Sequence, residues 1–225
     1  TIDYGPFGFL DRFNPGFICN HSDHGGRYAF GHQPGIAFWN LRALASALTS
    51  LISMDDLTHG LEKYGPAFDA EWMVRMRGKL GLEREEEKDE DLIDQALQLL
   101  TEHGLDYAAF WRSLADTVET KDSAPTIFQS AEESGWLQNW QNRLVREEVS
   151  PEELRDRLKA KNPKYVLRNW VAETAIRAVE DEMDLETLDT IFQLVTAPYE
   201  DHLEHEKYAA PPPENMCGLS VSCSS

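Results

Sequence analysis

The chain has 225 residues, 21 of them basic and 40 acidic, for a formal net charge of −19. So negative a surface repels phosphate backbones and anionic headgroups, which argues against nucleic acid or a membrane face as a partner. A chain of this length can bury about 70% of the surface its unfolded form exposes, enough for one sizeable core, and no apolar run reaches the roughly 18 to 20 residues that span a bilayer.

Residues 1–35 carry Gly or Pro at short intervals, among them Gly5, Pro6, Gly8, Pro15, Gly16, Gly31 and Pro34. They interrupt any helical period and predict an extended loop. That loop opens Thr1-Ile2-Asp3-Tyr4-Gly5, an apolar lead-in to Asp, an aromatic and Gly. In kinase-like enzymes an Asp-Phe-Gly at the end of a short strand supplies the carboxylate that holds Mg²⁺ against ATP phosphates. Asp3 is therefore the candidate metal ligand, and Gly5 lets the backbone turn away behind it. The plain alternative is a loop Asp capping a turn. Beginning on Thr, in the middle of such a motif, the sequence reads as an excerpt from the C-terminal part of a longer protein.

From Ile36 the pattern changes. Leu41, Leu44, Leu48 and Leu51 recur at intervals of three and four, widened by Ala45 and Ile52, which predicts an amphipathic helix. Further helices are expected at about 55–64, 68–80, 89–103, 106–118, 131–148, 151–160, 164–182 and 185–197. Ser150-Pro151-Glu152-Glu153 combines a capping hydroxyl, Pro at the first helical position and Glu three residues after the cap. Asp184 is a second N-cap candidate, and Pro163 is expected to open a helix. The run Glu85 to Asp91, six acids and one Lys, reads as a solvated linker or helix face. No later segment alternates as a strand would, so the body is predicted to be mainly α. From about residue 200, through Pro211-Pro212-Pro213, helical periodicity is lost and an extended tail is expected. The resulting division is 1–35, 36–200 and 201–225.

Several clusters invite functional readings. Cys19, His21 and His24 have the spacing of metal ligands, but no second Cys/His pair stands near them, so ordering of the loop is the preferred reading over zinc. His202 and His205, amid Glu and Asp, read as a solvated acidic helix end. Arg75, Arg77 and Lys79 form a compact basic cluster that suits a solvated helix end better than a nucleotide or an acidic partner. Trp39, Trp72, Trp111, Trp136, Trp140 and Trp170 are expected in cores, with Trp136 and Trp140 on one helix face. Arg168 is expected to brace the C-terminal extension. Three cysteines, Cys19, Cys217 and Cys223, are too few for a secreted disulfide framework and suggest a reducing compartment.

An ordered set of segments carries a more specific signal: Thr1 to Asp11, Asn20-His21-Ser22-Asp23-His24, Gly26-Arg27-Tyr28, Gln33-Pro34, Trp39-Asn40-Leu41, Asn162 to Trp170, and Cys223-Ser224-Ser225. Taken together the chain resembles the selenoprotein O family of protein adenylyltransferases from end to end, with little that is distinctive between about 80 and 160. The resemblance implies the C-lobe of a kinase-like fold plus a helical extension, with residues 1–35 as its metal-Asp motif and activation-segment-like loop. It implies an enzyme that uses Mg²⁺ (or Mn²⁺) and ATP to move AMP onto Ser, Thr or Tyr hydroxyls of other proteins. Asp3 matches the family's metal-binding Asp. The catalytic Asp, the second metal-binding Asn and the phosphate-gripping basic residues belong upstream of Thr1, so this chain by itself is expected to be inactive.

Two departures stand out: Asn14 where many relatives have Asp, and Cys223 where eukaryotic members often have selenocysteine. The Cys form suits a bacterial, cytoplasmic member; a eukaryotic one would be mitochondrial. The family's redox-active residue at this third-from-last position makes Cys19–Cys223 a candidate disulfide, with Cys217–Cys223 or three unrelated thiols as alternatives. The competing readings of function are a conventional protein kinase C-lobe and a non-catalytic helical interaction domain.

Overall fold

The computed structural model describes residues 8–19, 22–118 and 130–219. In chain order these form α1 (Gln33–Ala47), α2 (Met54–Glu62), α3 (Tyr64–Lys79), α4 (Asp89–Glu102), α5 (Tyr107–Thr117), α6 (Ala131–Leu144), α7 (Pro151–Lys161), α8 (Asn169–Glu182) and α9 (Leu185–Thr196). No strand is present among the described residues, only an isolated antiparallel bridge between Arg12 and Asp106. The expectation of a mainly α chain holds.

Local chemistry sets most of the helix starts. Ser53, Asp106, Ser130, Ser150 and Asp184 each accept a hydrogen bond from a backbone N–H of the first turn they precede, satisfying donors that have no partner inside the helix. Ser130 and Glu133 close a reciprocal capping box. Between α8 and α9, Met183 takes a left-handed conformation (φ 55°), and the N–H groups of Met183 and Asp184 return to Val179 and Ala178. That satisfies the last carbonyls of α8 and lets Asp184 start α9 at once.

Packing follows from the apolar faces. The C-terminal end of α3 joins α4, α5, α6 and α7 around one core, with α5 against α7 and α4 against α6. Trp136 and Trp140 share a face of α6, as their spacing predicts, and stack at 6.3 Å. Each is buried and donates its indole N–H to a carbonyl, Leu92 and Leu80 respectively. An indole buried with its polar atom satisfied contributes about 5 kcal/mol, for roughly 200 Å² removed from water. Gly81 turns the chain from α3 toward α4 at φ 75°, and a Cβ there would stand 2.8 Å from Leu154 Cδ1, so both its backbone and its space require glycine. A smaller core joins α8, α9 and the tail through Tyr165, Trp170, Ile191 and Tyr208.

Several expectations are corrected. The acidic run is not simply solvated: Asp89 is fully buried and pairs with Arg143 of α6 at 2.7 Å. Arg143 also bonds Glu147 and the carbonyl of Arg84, while Glu147 accepts the N–H of Glu83. Pro163 opens no helix. Asn162, which looks like its N-cap, instead ends α7, and its side chain donates to the carbonyl of Lys79. The next two N–H groups go to the carbonyl of Pro198, which keeps residues 164–168 out of helix until Asn169. Helix α1 begins three residues before Ile36, with Pro34 in its first turn. In the tail, Leu203–Ala209 and Glu214–Met216 coil into short 3-10 helices where an extended run was expected.

Candidate functional site

Asp3, His21 and Cys223 lie outside the described residues, so the candidate metal ligand, part of the candidate Cys/His set and one half of the candidate disulfide are not placed. What is placed is the scaffold directly beyond Asp3. The segment starting at Gly8 lies along the entrance to α5: Phe13 N–H donates to the carbonyl of Leu105, and Tyr107 N–H to that of Asp11, both at 2.9 Å. Phe13 stacks on Tyr107 at 5.2 Å, and the ring of Phe30 meets both edge-on.

Arg168 locks this arrangement. Its guanidinium forks onto Asp106 (Nη1 to Oδ2 2.7 Å, Nη2 to Oδ1 2.9 Å), and Nη1 also reaches Asp11 at 2.9 Å. Asp106 is at the same time the N-cap of α5. Arg168 is 1% exposed. Burial opposes its charge, yet the Asp106 and Asp11 carboxylates prevail and hold its pKa above the ordinary arginine value. The sequence had marked Arg168 as a brace, and it does join the start of α8 to the main core. Asp11 and Asp106 were missed as its partners. Asp106 was legible as a cap ahead of an apolar run; nothing local marks Asp11.

The neighbouring residue gathers two further segments. A Cβ on Gly8 would stand 3.0 Å from Asn169 Oδ1, and the Asn169 amide donates to the carbonyl of Leu219 at 2.8 Å. The segment that follows Asp3 and the one that precedes Cys223 thus meet at a single asparagine on the first turn of α8.

Residues 8–19 and 22–29 form a loop, as expected, but one that folds back on itself rather than running extended. The Asp23 carboxylate accepts the N–H groups of Arg27 and Tyr28, at 2.9 and 2.8 Å. Gly31 N–H donates to the carbonyl of Pro15 at 2.7 Å, and Phe30 N–H to that of Phe17. Arg27 stacks on Trp39 of α1, 4.5 Å from the ring centroid. Among the described residues no group of three or more His, Cys, Asp or Glu is arranged to hold a metal ion. His202 and His205 lie beside Tyr165 and Tyr208 in the tail, where the Tyr165 hydroxyl donates to the carbonyl of His202.

The basic cluster divides. Arg75 is exposed and pairs with Glu71, whereas Arg77 is buried and pairs with Glu85. Lys79 turns inward beneath the Gly8 segment, where burial brings its pKa down to about 8. The solvated helix end expected here describes Arg75 alone. Trp39 departs from the core reading too, since half of its surface is exposed.

The family model for protein adenylyltransferase SelO matches residues 1–196. A protein nucleotidyltransferase YdiU of Myxococcus xanthus (strain DK1622) is 43% identical over 235 aligned positions, covering all of this chain and 47% of the relative. Proteins of the same name from Pectobacterium carotovorum subsp. carotovorum (strain PC1) and Yersinia pseudotuberculosis serotype O:1b (strain IP 31758) are each 40% identical over 228 positions, with the same coverage. The chain thus spans about half the length of the curated relatives it matches, and no helix among its described residues is long and apolar enough to cross a membrane. With a family model covering most of its length, the chain belongs to the SelO family of protein adenylyltransferases.

Proposed function

We propose that this chain is the C-terminal part of an ATP-dependent protein adenylyltransferase, one that transfers AMP to Ser, Thr or Tyr hydroxyls of other proteins. Residues 36–200 are read as a kinase-like C-lobe and its helical extension, residues 1–35 as the metal motif and activation-segment-like loop, and 201–225 as the tail. The observation that carries this is the Arg168 clamp on Asp11 and Asp106, which fixes the backbone a few residues past Asp3. A metal-binding carboxylate on a loop needs such an anchor if it is to hold position without the entropy cost of ordering at each turnover.

Asp3 itself is not placed, so the fit of a metal rests on donor chemistry. A carboxylate oxygen suits Mg²⁺ or Mn²⁺, and one or two protein ligands suffice when phosphate and water supply the rest. Bound there, the ion would offset charge on the ATP phosphates. Within this chain, Asp3 would hold the ion, Gly5 would turn the backbone, and Arg168 would keep Asp11 and Asp106 in register. The residues that grip phosphate and accept the hydroxyl proton are assigned to the additional half present in the relatives, so this chain alone is read as inactive. The apolar surface of α1 and the turn after it, with Leu44, Leu51, Ile52 and Met54 exposed, is where that half would pack.

The Cys19–Cys223 disulfide remains a proposal. It rests on the resemblance, in which a redox-active residue occupies that third-from-last position. Non-reducing peptide mapping would test it, and a Cys217–Cys223 linkage or none at all would overturn it.

For the activity, the test is transfer of label from ATP carrying ³²P at the α or the γ position, using the complete polypeptide with Mg²⁺ and an Asp3→Ala control. Label from the α position only, lost in the variant, is expected. Label from the γ position only would make the enzyme a conventional kinase; label from neither would favour a binding module.

A further inference from the structure

Beneath the segment Gly8–Leu10 lies a cavity of about 250 Å³, walled by Phe30, Tyr107, Trp111 and Val166 and containing, among the described residues, one charged group, Lys79. Its polar lining is lopsided. Lys79 Nζ lies 5.7 Å from the Tyr107 ring centroid and 5.9 Å from that of Trp111. Its one hydrogen bond among the described residues is a long contact of 3.4 Å to Asn162 Oδ1. Trp111 is 1% exposed, and its indole N–H meets only the neighbouring Tyr107 hydroxyl among the described residues, in a geometry short of a full hydrogen bond. Burial raises the Tyr107 phenol, with the neighbouring Trp111 indole opposing, so at neutral pH that hydroxyl is protonated and can also donate.

Among the described residues the cavity therefore offers an ammonium, an indole N–H and a phenol O–H, and no carboxylate lines it. In a chain with 40 acidic residues, a half-buried lysine without an acidic partner among the described residues is conspicuous. Other inward-facing cations here are paired: Arg143 with Asp89 and Glu147, Arg168 with Asp106 and Asp11, Lys164 with Asp201 and Glu206. An ammonium facing aromatic walls, with a poorly matched indole donor beside it, calls for a ligand that brings the acceptor and the negative charge.

We propose that this cavity is a binding site for a small organic carboxylate with a flat apolar body, whose carboxylate pairs with Lys79 and accepts from Trp111 while its body lies between the aromatic walls. Charge and size decide the class. One cation in apolar surroundings compensates a monoanion, whereas a phosphate dianion would bring charge that nothing there neutralises. The volume lies below the roughly 300 to 1,000 Å³ of pockets for drug-sized ligands, which favours a single-ring acid over a nucleotide. The roof of the cavity is the backbone that follows Asp3 in sequence, so an occupant would bear directly on that segment.

The test is calorimetric titration of the complete polypeptide, without ATP, using phenylacetate as the probe. Phenylacetamide, inorganic phosphate and AMP serve as comparison ligands. Phenylacetate is expected to bind at least tenfold more tightly than its neutral amide and than phosphate, with AMP not competing. Lys79→Met is expected to lose tenfold or more in affinity while retaining the helical circular dichroism, Lys79→Arg to keep most of it, and Trp111→Phe to lose severalfold. Equal binding of acid and amide, unchanged affinity in Lys79→Met, or no binding of phenylacetate at millimolar concentration would each overturn the proposal. Because ATP is absent throughout, the result does not depend on whether the transferase reading survives.

Discussion

Helix α1 and the bundle of α4 to α7 both carry leucine at helical spacing, yet they end in opposite surroundings. On α4 to α6 the apolar stripe closes on itself, and Leu100, Leu114 and Trp140 are completely buried. On α1 no residue is buried, Leu44 is 55% exposed, and Leu51, in the turn beyond the helix, is 79% exposed. What ties α1 and α3 together is a ladder of rings, Phe38 on Tyr64, Tyr64 on Phe68 and Phe68 on Trp72, with the Tyr64 hydroxyl donating to the carbonyl of Pro34. Periodicity thus identifies a face that prefers burial, and only the neighbours present decide whether it is buried.

The largest effect should come from inside the bundle. Arg143→Ala leaves Asp89 buried without its cation and Glu147 with only Arg157, 3.8 Å away, and removing one partner of such a group costs about 3–5 kcal/mol. Urea unfolding should show that loss, and a change under 1 kcal/mol would mean that the polar network is not what holds α4 to α6. Next comes Gly81→Ala, which combines a left-handed backbone with a clash against Leu154 and should cost about 2–4 kcal/mol. A neutral outcome would show that α7 yields more readily than a packed core should.

The same kind of measurement on α1 sharpens the contrast. In this chain Leu44→Ser should change stability by no more than about 0.5 kcal/mol, as exposed sites do. In the complete polypeptide, if the additional half covers this face, the cost should rise to about 2 kcal/mol or more. Equal small effects in both would mean that the face stays open.

The smallest effect lies at the seam joining the main bundle to the tail, where Arg112, Lys159 and Lys164 converge on Asp201. Burial pushes the Asp201 carboxyl up, but hydrogen bonds from Lys159, Lys164 and Arg112 outweigh it and hold the group below its ordinary value near 3.8. A depressed carboxyl contributes stability that is whole above that value and fades as pH falls below it. Asp201→Asn should therefore lose little at high salt, where such half-exposed pairs are screened. It should also flatten the acid limb of a stability profile below about pH 4. An unchanged acid limb would show that the three cations hold Asp201 only weakly.

Much of the helical layout could be read from residue order, because caps and periodic stripes act over a few neighbouring residues. Ser150 before Pro151, Asp184 before Leu185 and the shared face of Trp136 and Trp140 all belong to this class, and the structure has them as read. Family membership was also legible, since it rests on ordered short segments rather than on contacts. The candidate site was legible only as residue types. Asp3 and Cys223 were named from motifs and lie outside the described residues. The clamp that holds the neighbouring backbone pairs Arg168 with Asp11, 157 positions away, and no local pattern encodes a pair so distant.

The tertiary structure alone decided where charge goes inside. An acidic run looks solvated until α6 places Arg143 over Asp89, and Asn162-Pro163 looks like a helix start until Lys79 engages the asparagine and Pro198 takes the next two N–H groups. Lys79 reads as one of three surface cations until α5 sets Tyr107 and Trp111 beside it. The reason is common to all three. Burial and pairing of a polar group depend on which distant segment arrives with a partner, and the cost of leaving such a group unpaired makes that arrival decisive.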